Sequence, residues 1–310
     1  MSKGLVIKST GSWIEVKDDE TKQIIPCKIK GKFRIKGIKN TNPVTVGDRV
    51  GFEYSPSEKS GIINEIEERK NYIIRRSSNL SKQAQIIAAN IDQALLIVTL
   101  TCPETNIEFI DRFLVTAEAY NIPVKLIFNK IDLYSEELKE YHKALKLIYE
   151  NIGYPCYELS VTENINVDRV HDLLLNKISL LAGNSGVGKS SLINAVDPDL
   201  HLKVAEISEA HLSGKHTTTY SEMFELTEGG YIIDTPGIKG FGVIDLKKEE
   251  LYHYFPEFFK LSEACQYYNC THTHEPGCAV KEAMEKGIIS PSRYRSYLSL
   301  FFEEENKYRF

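Results

Sequence analysis

A glycine-rich run lies between an apolar segment and a helical pattern in the middle of the chain. The run Gly183–Ser190 reads GNSGVGKS; it follows the apolar residues Ile178–Ala182 and precedes the helix-forming residues Ser191–Ala195. Glycines let a backbone wrap closely around phosphate, and the amide groups of the loop and of the helix start then face the anion. In such a loop Lys189 reaches the β- and γ-phosphates and Ser190 ligates Mg²⁺. We therefore predict a nucleotide phosphate site that comprises Gly183, Asn184, Ser185, Gly186, Val187, Gly188, Lys189, Ser190 and Ser191.

A second motif predicts the base of the nucleotide. Asn129, Lys130 and Asp132, in the sequence NKID, follow the apolar run Val124–Phe128 and so lie at the carboxyl end of a strand, where open α/β sheets bind ligands. A carboxylate there accepts hydrogen bonds from guanine N1 and N2, and adenine offers no such pair of donors. The segment Ser160–Thr162, which begins with Ser160 after the short strand Cys156–Leu159, is a weaker candidate to donate a backbone N–H to guanine O6. The segment alone also fits a helix cap, but beside a phosphate loop it favours guanine recognition.

Two further segments have the composition of elements that sense the γ-phosphate. Asp234 and Gly237, in the sequence DTPG, follow the apolar run Tyr231–Ile233. The carboxylate would hold Mg²⁺ through water, and the glycine N–H would contact the γ-phosphate. Upstream lies the loop GKHTTT, residues 214–219, one of whose threonines would complete the Mg²⁺ shell only in the GTP state. The sequence does not determine which threonine does so, and Thr218 stands as the candidate.

Three cysteines and two histidines are concentrated near the end of the chain. His272 lies between Cys265, Cys270 and Cys278, and His274 follows two residues later. Three thiolates and one imidazole are a closed tetrahedral set for structural Zn²⁺. In a cytoplasmic chain, such a cluster indicates a metal rather than disulfides. Either histidine would complete the set.

A basic strand near the N-terminus is a candidate nucleic-acid contact. Cations occupy every second position of residues 28–36, and such positions share one face of a strand. They are Lys28, Lys30, Lys32, Arg34 and Lys36. A solvated outer strand whose lysines deter edge pairing is the alternative, yet five neighbouring cations repel one another, and a phosphate backbone would relieve that repulsion. Residues 1–76 hold 16 Lys or Arg and 10 Asp or Glu, whereas the whole chain carries a net charge of −5, which again favours a polyanionic partner.

The elements around these motifs divide the chain into three parts. Short, evenly spaced strand patterns predict a small barrel or sandwich over residues 1–70. Residues 71–245 alternate buried strands with helices, which predicts a mostly parallel sheet covered on both faces. One of these helices has a predicted N-cap at Ser135. Residues 246–310 hold the cysteine cluster followed by helix.

Length and composition fit a soluble, cytoplasmic chain of two or three domains. Of its 310 residues, 42% are hydrophobic and 26% charged, as in ordinary globular proteins. The longest strongly apolar run, Ala94–Leu100, is too short to cross a bilayer, and the N-terminus lacks the apolar core of a signal peptide. We expect no membrane contact and, because nothing in the sequence demands a dimer, a monomer.

The order of the motifs is unusual. In most GTPases the phosphate loop comes first and the guanine motif follows, whereas here Asn129–Asp132 precede Gly183. Such a domain is circularly permuted; its site can be the same in space, because chain order does not set geometry. The chain then passes directly from Asp234 into the cysteine-rich part, so nucleotide state could act on that part.

This combination resembles the circularly permuted GTPases that depend on the small ribosomal subunit, a family of bacterial small-subunit maturation factors. The resemblance covers nearly the whole chain and rests on the basic barrel, NKID ahead of the phosphate loop, GKHTTT, DTPG and the Cys–His cluster. It implies an α/β P-loop GTPase domain between an OB-like barrel and a zinc-binding helical module. It also implies GTP hydrolysis to GDP with Mg²⁺, stimulated by the small subunit, and rRNA contact through barrel and zinc module. Among the two histidines it selects His272 for a single structural zinc ion.

The group that activates water is the open point. Many GTPases orient water with a glutamine directly after D-x-x-G, and here that position is Ile238, which cannot do so. The resemblance places a catalytic histidine in the GKHTTT loop, which makes His216 the candidate, since a neutral imidazole can orient or polarise water. A GTP sensor with little hydrolysis and a P-loop kinase for a small molecule are the alternatives; NKID and the threonine-rich loop argue against the kinase.

Overall fold

The first part of the chain forms a five-stranded barrel. The computed structural model describes residues 1–10, 13–29, 43–76, 84–200, 222–234 and 246–303. The barrel strands are β1 (Ser2–Ser9), β2 (Ile14–Asp18), β3 (Ile24–Ile29), β4 (Arg49–Ser55) and β5 (Ser60–Ile66). They pair in the order β1-β2-β3-β5-β4, and β4 pairs back with β1 to close the barrel. The strand pattern left a barrel or a sandwich open, and the structure confirms the barrel that the family resemblance implied.

Alternate side chains of these strands fill the barrel, because successive strand residues point to opposite faces. The most deeply buried of these are no more than 1% exposed; they include Val6, Ile14, Val16, Phe52 and Ile63. Turns lie at residues 19–21 and 46–47. After the barrel, a two-stranded hairpin of β6 (Tyr72–Arg76) and β7 (Ala84–Ala89) leads to the central sheet.

The central part is a mostly parallel sheet. Its strands are β8 (Gln93–Val98), β9 (Val124–Phe128), β10 (Cys156–Glu158), β11 (Ile178–Ala182), β12 (Glu222–Glu225) and β13 (Tyr231–Asp234). They lie in the order β10-β9-β8-β11-β13-β12, and only β12 runs antiparallel to its neighbour within this part. The permutation is visible here, since β11, which precedes the phosphate loop, is flanked by β8 from earlier in the chain and β13 from later.

Helices cover both faces of the central sheet. They are α1 (Ile107–Ala119), α2 (Glu136–Ile152), α3 (Val167–Leu174) and α4 (Lys189–Val196). Leu96 and Val98 of β8 pack in the core under α1 and α2, while Leu95 and Ile97 pack in the core under α3 and α4. The predicted cap is confirmed, since Ser135 Oγ accepts a hydrogen bond from Leu138 N at 3.2 Å.

The last described part is helical and packs around aromatic side chains. A 3-10 turn at Lys248–Tyr254 is followed by α5 (Pro256–Ser262), α6 (Ala279–Glu285) and α7 (Pro291–Phe302). Phe255, Phe258 and Tyr297 are fully buried in its core. Among the helices that the structure describes, none combines the length and the apolar character that a membrane crossing needs.

The barrel and the central sheet are joined edge to edge. Lys8 of β1 pairs with Glu222 of β12, so the strands of both parts form one eleven-stranded sheet. An ion pair between Lys17 of β2 and Glu225 of β12 reinforces this junction, and the Lys17 ammonium also lies 5.9 Å from the ring centroid of Tyr231. The barrel is thus attached to the strand that follows residues 201–221.

Candidate nucleotide and metal sites

The phosphate loop lies where the sequence predicts it, between β11 and α4. Gly183 has φ of +141° and Gly188 has φ of +99°, values that L side chains rarely adopt. A Cβ on Gly183 would also lie 2.5 Å from the carbonyl oxygen of Ile97 on β8. Close contact with the neighbouring strand, as well as the backbone conformation, therefore requires glycine at position 183.

Lys189 begins α4 and bends back over the loop that precedes it. Its Nζ donates to the carbonyl oxygens of Gly183 at 2.8 Å and Asn184 at 2.7 Å. These contacts hold the ammonium against the start of the loop. Ser190 and Ser191 follow in the first turn of the helix, where both are exposed. The hydroxyl predicted for Mg²⁺ therefore lies at the positive end of the helix dipole.

Asn129 joins the guanine motif to the phosphate loop. It follows β9 and is 2% exposed; its Nδ2 donates to the carbonyl oxygen of Val187 at 2.9 Å. A Cβ on Gly188 would lie 2.4 Å from the same Nδ2. The Asn129 side chain of one motif therefore packs against the backbone of the other, although the two motifs are separated in the chain. The buried Asn129 Oδ1 has no hydrogen-bond partner among the described residues.

Lys130 makes a second contact between the guanine motif and the phosphate loop. It adopts a left-handed backbone conformation with φ of +61°, and its Nζ donates to the carbonyl oxygens of Gly186 at 2.8 Å and Cys102 at 2.5 Å. The aliphatic stem and charged end of this side chain thus cross the mouth of the phosphate loop. Position 130 both turns the chain and supports the loop.

Asp132 is exposed, and Ser160 holds its carboxylate. Ser160 Oγ donates to Asp132 Oδ1 at 2.5 Å and accepts from Glu163 N at 3.1 Å. The structure therefore brings together two residues that the sequence assigned to guanine. The predicted backbone contact needs a refinement, because Ser160 N already donates to the Ile165 carbonyl oxygen at 3.2 Å. This leaves the fully buried Ser160 to position the carboxylate through its hydroxyl.

The segment after β8 is a part of the site that sequence reasoning missed. Thr99 Oγ1 donates to the Pro103 carbonyl oxygen at 2.5 Å, and Thr105 N donates to the Thr99 carbonyl oxygen at 2.8 Å. This tight loop places Cys102 against Lys130 and Pro103 near Gly186. The available signal was its position, since β8 ends at the same edge of the sheet as β9 and β11.

Several predicted residues lie outside the described part of the chain. They are Lys30, Lys32, Arg34, Lys36, His216, Thr217, Thr218, Thr219, Gly237 and Ile238. Asp234 is described through its backbone, as the last residue of β13, where it pairs with Glu222. Lys28, the first residue of the predicted basic face, is exposed on β3.

The Cys–His cluster has the geometry of a tetrahedral metal site. One ligand atom from each of Cys265, Cys270, His272 and Cys278 lies within 4.8 Å of all the others. His272 Nδ1 is 3.6 Å from the Cys265 sulfur and 3.4 Å from the Cys278 sulfur. Ligands at ~2.3 Å for sulfur and ~2.0 Å for nitrogen around a tetrahedral zinc ion would be ~3.6 Å apart. The donor set therefore fits Zn²⁺, and His274 is not part of it.

The turn that carries His272 is held by polar contacts from its surroundings. His272 has φ of +59°, and the Tyr294 hydroxyl donates to its carbonyl oxygen at 2.8 Å. Glu275 accepts from Thr271 N at 2.7 Å and Thr273 N at 3.1 Å. Although burial opposes its ionisation, hydrogen bonds from Thr271 and neighbouring amides bring the pKa of Glu275 to about 2. These contacts fix the backbone of the turn that carries the candidate ligand histidine.

Burial disfavours charge on the side chains of the cluster. Burial raises the pKa of the Cys270 thiol to about 12 and lowers the pKa of His272 to about 4. The imidazole is accordingly neutral and able to ligate. Buried thiols of this kind become thiolates when a divalent cation compensates their charge.

Fold and site together define the class of the protein: a P-loop GTPase with a guanine motif that precedes the phosphate loop in the chain. Comparison with known families agrees. The model of the RsgA GTPase family matches residues 66–244, and that of the RsgA N-terminal domain matches residues 3–63. The chain belongs to the RsgA GTPase family.

Relatives and solved structures match over almost the full chain. It is 60% identical to Small ribosomal subunit biogenesis GTPase RsgA 2 of Bacteroides thetaiotaomicron and 59% identical to Small ribosomal subunit biogenesis GTPase RsgA of Phocaeicola vulgatus, each over 99% of both chains. YjeQ from Thermotoga maritima shares 37% identity and a TM-score of 0.80, with 97% of each chain covered. YloQ, described as a circularly permuted GTPase, shares 31% identity and a TM-score of 0.76, with 96% of this chain and 93% of YloQ covered.

Proposed function

We propose that this GTPase hydrolyses GTP to GDP on the small ribosomal subunit during late maturation of that subunit. The observation that carries the proposal is the contact between guanine motif and phosphate loop, in which Asn129 Nδ2 reaches the Val187 carbonyl oxygen at 2.9 Å. Relatives that are 60% and 59% identical are named small ribosomal subunit biogenesis GTPases. Similarity of this extent over 99% of the chain supports the same partner.

The nucleotide would lie across the carboxyl edge of the sheet. Lys189 and the loop amides bind the phosphates, Ser190 ligates Mg²⁺, and Asp132 accepts from guanine N1 and N2. Asn129, Lys130 and Ser160 position these groups. The remaining loop residues contribute backbone amides or line the phosphates; they are Gly183, Asn184, Ser185, Gly186, Val187, Gly188 and Ser191. The γ-phosphate sensors would be Thr218, Asp234 and Gly237.

Hydrolysis needs a group that orients water, and His216 is the residue we assign to it. Ile238 stands where many GTPases have glutamine and offers no polar side-chain atom. His216→Ala is expected to keep GTP affinity and lose turnover. A variant with wild-type turnover would remove His216 from this role.

Each of three domains would have its own role. Residues 1–70 contact rRNA through Lys28, Lys30, Lys32, Arg34 and Lys36. Residues 71–245 bind and hydrolyse GTP. Residues 246–310 contact rRNA through a module that one zinc ion stabilises. Cys265, Cys270, His272 and Cys278 are the ligands, because their donor atoms converge within 4.8 Å. A subunit-bound factor of this type works in the cytoplasm, and we propose that it acts as a monomer.

Sedimentation with ribosomal subunits tests the proposed partner. The chain is mixed with small or large subunits in the presence of a non-hydrolysable GTP analogue or GDP. We expect nucleotide-dependent pelleting with small subunits and none with large subunits. Equal pelleting with both would contradict the proposal.

A GTP sensor with little hydrolysis is the second candidate, and Ile238 favours it. Its signature is nucleotide-dependent binding to the small subunit without a rise in turnover. The two functions differ in hydrolysis alone, so one turnover assay separates them.

A further inference from the structure

An exposed tryptophan faces a lysine on the outer surface of the barrel. Trp13 is the only tryptophan of the chain, directly precedes β2 and is 47% exposed. The Nζ of Lys28, on the neighbouring β3, lies 4.6 Å from the centroid of its ring. The aromatic side chain is therefore half exposed at the surface and contacts a cation there.

The strand register extends this pair into a row across the barrel. Ile14 pairs with Cys27, so Trp13 and Lys28 occupy the next rung. Lys28 in turn pairs with Ile62 of β5, whose side chain is 38% exposed. An aromatic, a cationic and an aliphatic side chain thus lie side by side on three adjacent strands.

The core does not explain why apolar side chains face outward here. The inward positions on these strands, such as Val16, Ile25 and Ile63, are already buried. Ile24, at the opposite end of β3, is also exposed, at 56%. Scattered exposed apolar residues are normal, whereas several on one face of a small barrel indicate a contact surface.

Charge selects the kind of partner for this surface. Residues 1–76 carry 16 basic and 10 acidic side chains, so the barrel attracts polyanions. OB-like barrels bind oligonucleotides on the face of their second and third strands and on the loop that joins the first two, and Trp13 and Lys28 lie there. Glu53 of β4 pairs with Ile62 and ends the row with a negative charge, so the phosphate path would run past Lys28 and away from β4.

We propose that Trp13 is a stacking platform for an unpaired RNA base and that Lys28 binds the phosphate next to that base. A paired base has both faces covered by its neighbours, so the site takes single-stranded RNA. Stacking on an aromatic ring tolerates any base, which makes this a positioning contact and not a sequence reader. The inference rests on the proposed role on the small subunit, which supplies the RNA.

The single tryptophan makes a direct measurement possible. Fluorescence of the full chain is followed during titration with single-stranded oligouridylate of ~10 nucleotides, a length that one OB-like barrel accommodates. We expect saturable quenching that weakens as salt is raised. A blunt RNA duplex of equal length serves as the control and is expected to leave the emission nearly unchanged.

Variants assign the signal to the two residues. With labelled oligouridylate and fluorescence anisotropy, Trp13→Leu should weaken binding about tenfold to a hundredfold, while Trp13→Phe should stay near the wild-type affinity. Lys28→Gln should reduce the salt slope by about one. Tyr141→Leu is the matched control, since Tyr141 is 45% exposed but lies on α2, outside the barrel; it should bind like wild type.

Three results would overturn the inference. The first is an unchanged RNA affinity of Trp13→Leu, and the second is equal quenching by duplex and single-stranded RNA. The third is a fluorescence change with small subunits but none with oligouridylate, because that result would place protein or duplex RNA on this face. Turnover of GTP with small subunits is measured in parallel on wild type. If small subunits stimulate GTP turnover and one of these three results is found, the stacking site alone is rejected. If small subunits do not stimulate turnover, the proposed function itself is rejected.

Discussion

Arg293 Nη1 donates to Asp111 Oδ1 at 2.7 Å, and this buried contact ties α7 to α1 of the GTPase part. Arg293 lies on α7 and Asp111 on α1, and their side chains are 1% and 0% exposed. The Tyr149 hydroxyl also donates to Asp111 Oδ1 at 2.9 Å, while Arg293 Nε donates to Glu257 at 2.7 Å. The module that contains the Cys–His cluster is therefore locked to the GTPase part by a charged network that is largely shielded from solvent.

Removal of one partner from this network should be costly. Arg293→Met leaves Asp111 buried without its cation, so we expect the free energy of unfolding to fall by about 3–5 kcal/mol, measured by urea denaturation. Arg112→Met is the matched control, because its pair with Glu303 also links α1 to the end of α7 but is 23% exposed on both sides; it should cost under about 1 kcal/mol. Equal losses in both variants would show that burial of the first pair does not matter.

Exchange of the guanine-reading carboxylate should change the preferred base. Asp132→Asn offers an amide donor where guanine N2 also donates, so GTP affinity should fall by about a hundredfold or more. Xanthine carries a carbonyl oxygen at that ring position, and xanthosine triphosphate should bind the variant better than the wild type. Binding of fluorescent analogues of both nucleotides measures the exchange. Unaltered preference for GTP would mean that Asp132 does not contact the base.

The tight fit between the two motifs predicts a steric effect at Gly188. An added Cβ would lie 2.4 Å from Asn129 Nδ2, so Gly188→Ala should displace Asn129 and weaken GTP binding by about tenfold or more. Gly153→Ala is the control, because Gly153 has φ of +118° and nothing within 4 Å of the added atom. It should cost about 1 kcal/mol of stability and leave GTP affinity unchanged. Unchanged GTP affinity in Gly188→Ala together with weaker GTP binding in Gly153→Ala would contradict the close packing of Asn129 against the phosphate loop.

The metal cluster predicts one zinc ion per chain by elemental analysis. Cys270→Ala should lose the metal and open the module to proteolysis, because a structural ion supplies part of its folding free energy. Cys156→Ala is the control; burial raises the pKa of both thiols to about 12, but Cys156 lies on β10, away from the cluster. A folded, zinc-free wild type would exclude the structural role.

Much of the fold could be predicted because its signals are local. The apolar run at Val124–Phe128 and the cap at Ser135 are properties of adjacent residues, and the structure has both where expected. The permuted order was readable as well, since motif order is a property of the chain itself. The histidine choice between His272 and His274 depended on a family resemblance, and the geometry places His272 among the cysteines.

Other contacts could not be predicted, because they join residues that are distant in the chain and carry no motif. Nothing in the residues around Asp111 indicates that Arg293 will reach it. The carbonyl oxygen of Cys102 is a backbone atom, so no residue type marks its contact with Lys130. The pairing of Lys8 with Glu222 likewise follows from how two domains meet.

The rate of GTP hydrolysis with and without small ribosomal subunits tests the central claim most directly. Purified chain is incubated with GTP alone, with small subunits and with large subunits; a Lys189→Ala variant, which loses the ammonium at the phosphate loop, controls for contaminating activity. We predict a large rise in turnover with small subunits alone and none in the variant. GTP binding without any rise would contradict the account and leave a nucleotide sensor in place of a subunit-stimulated enzyme.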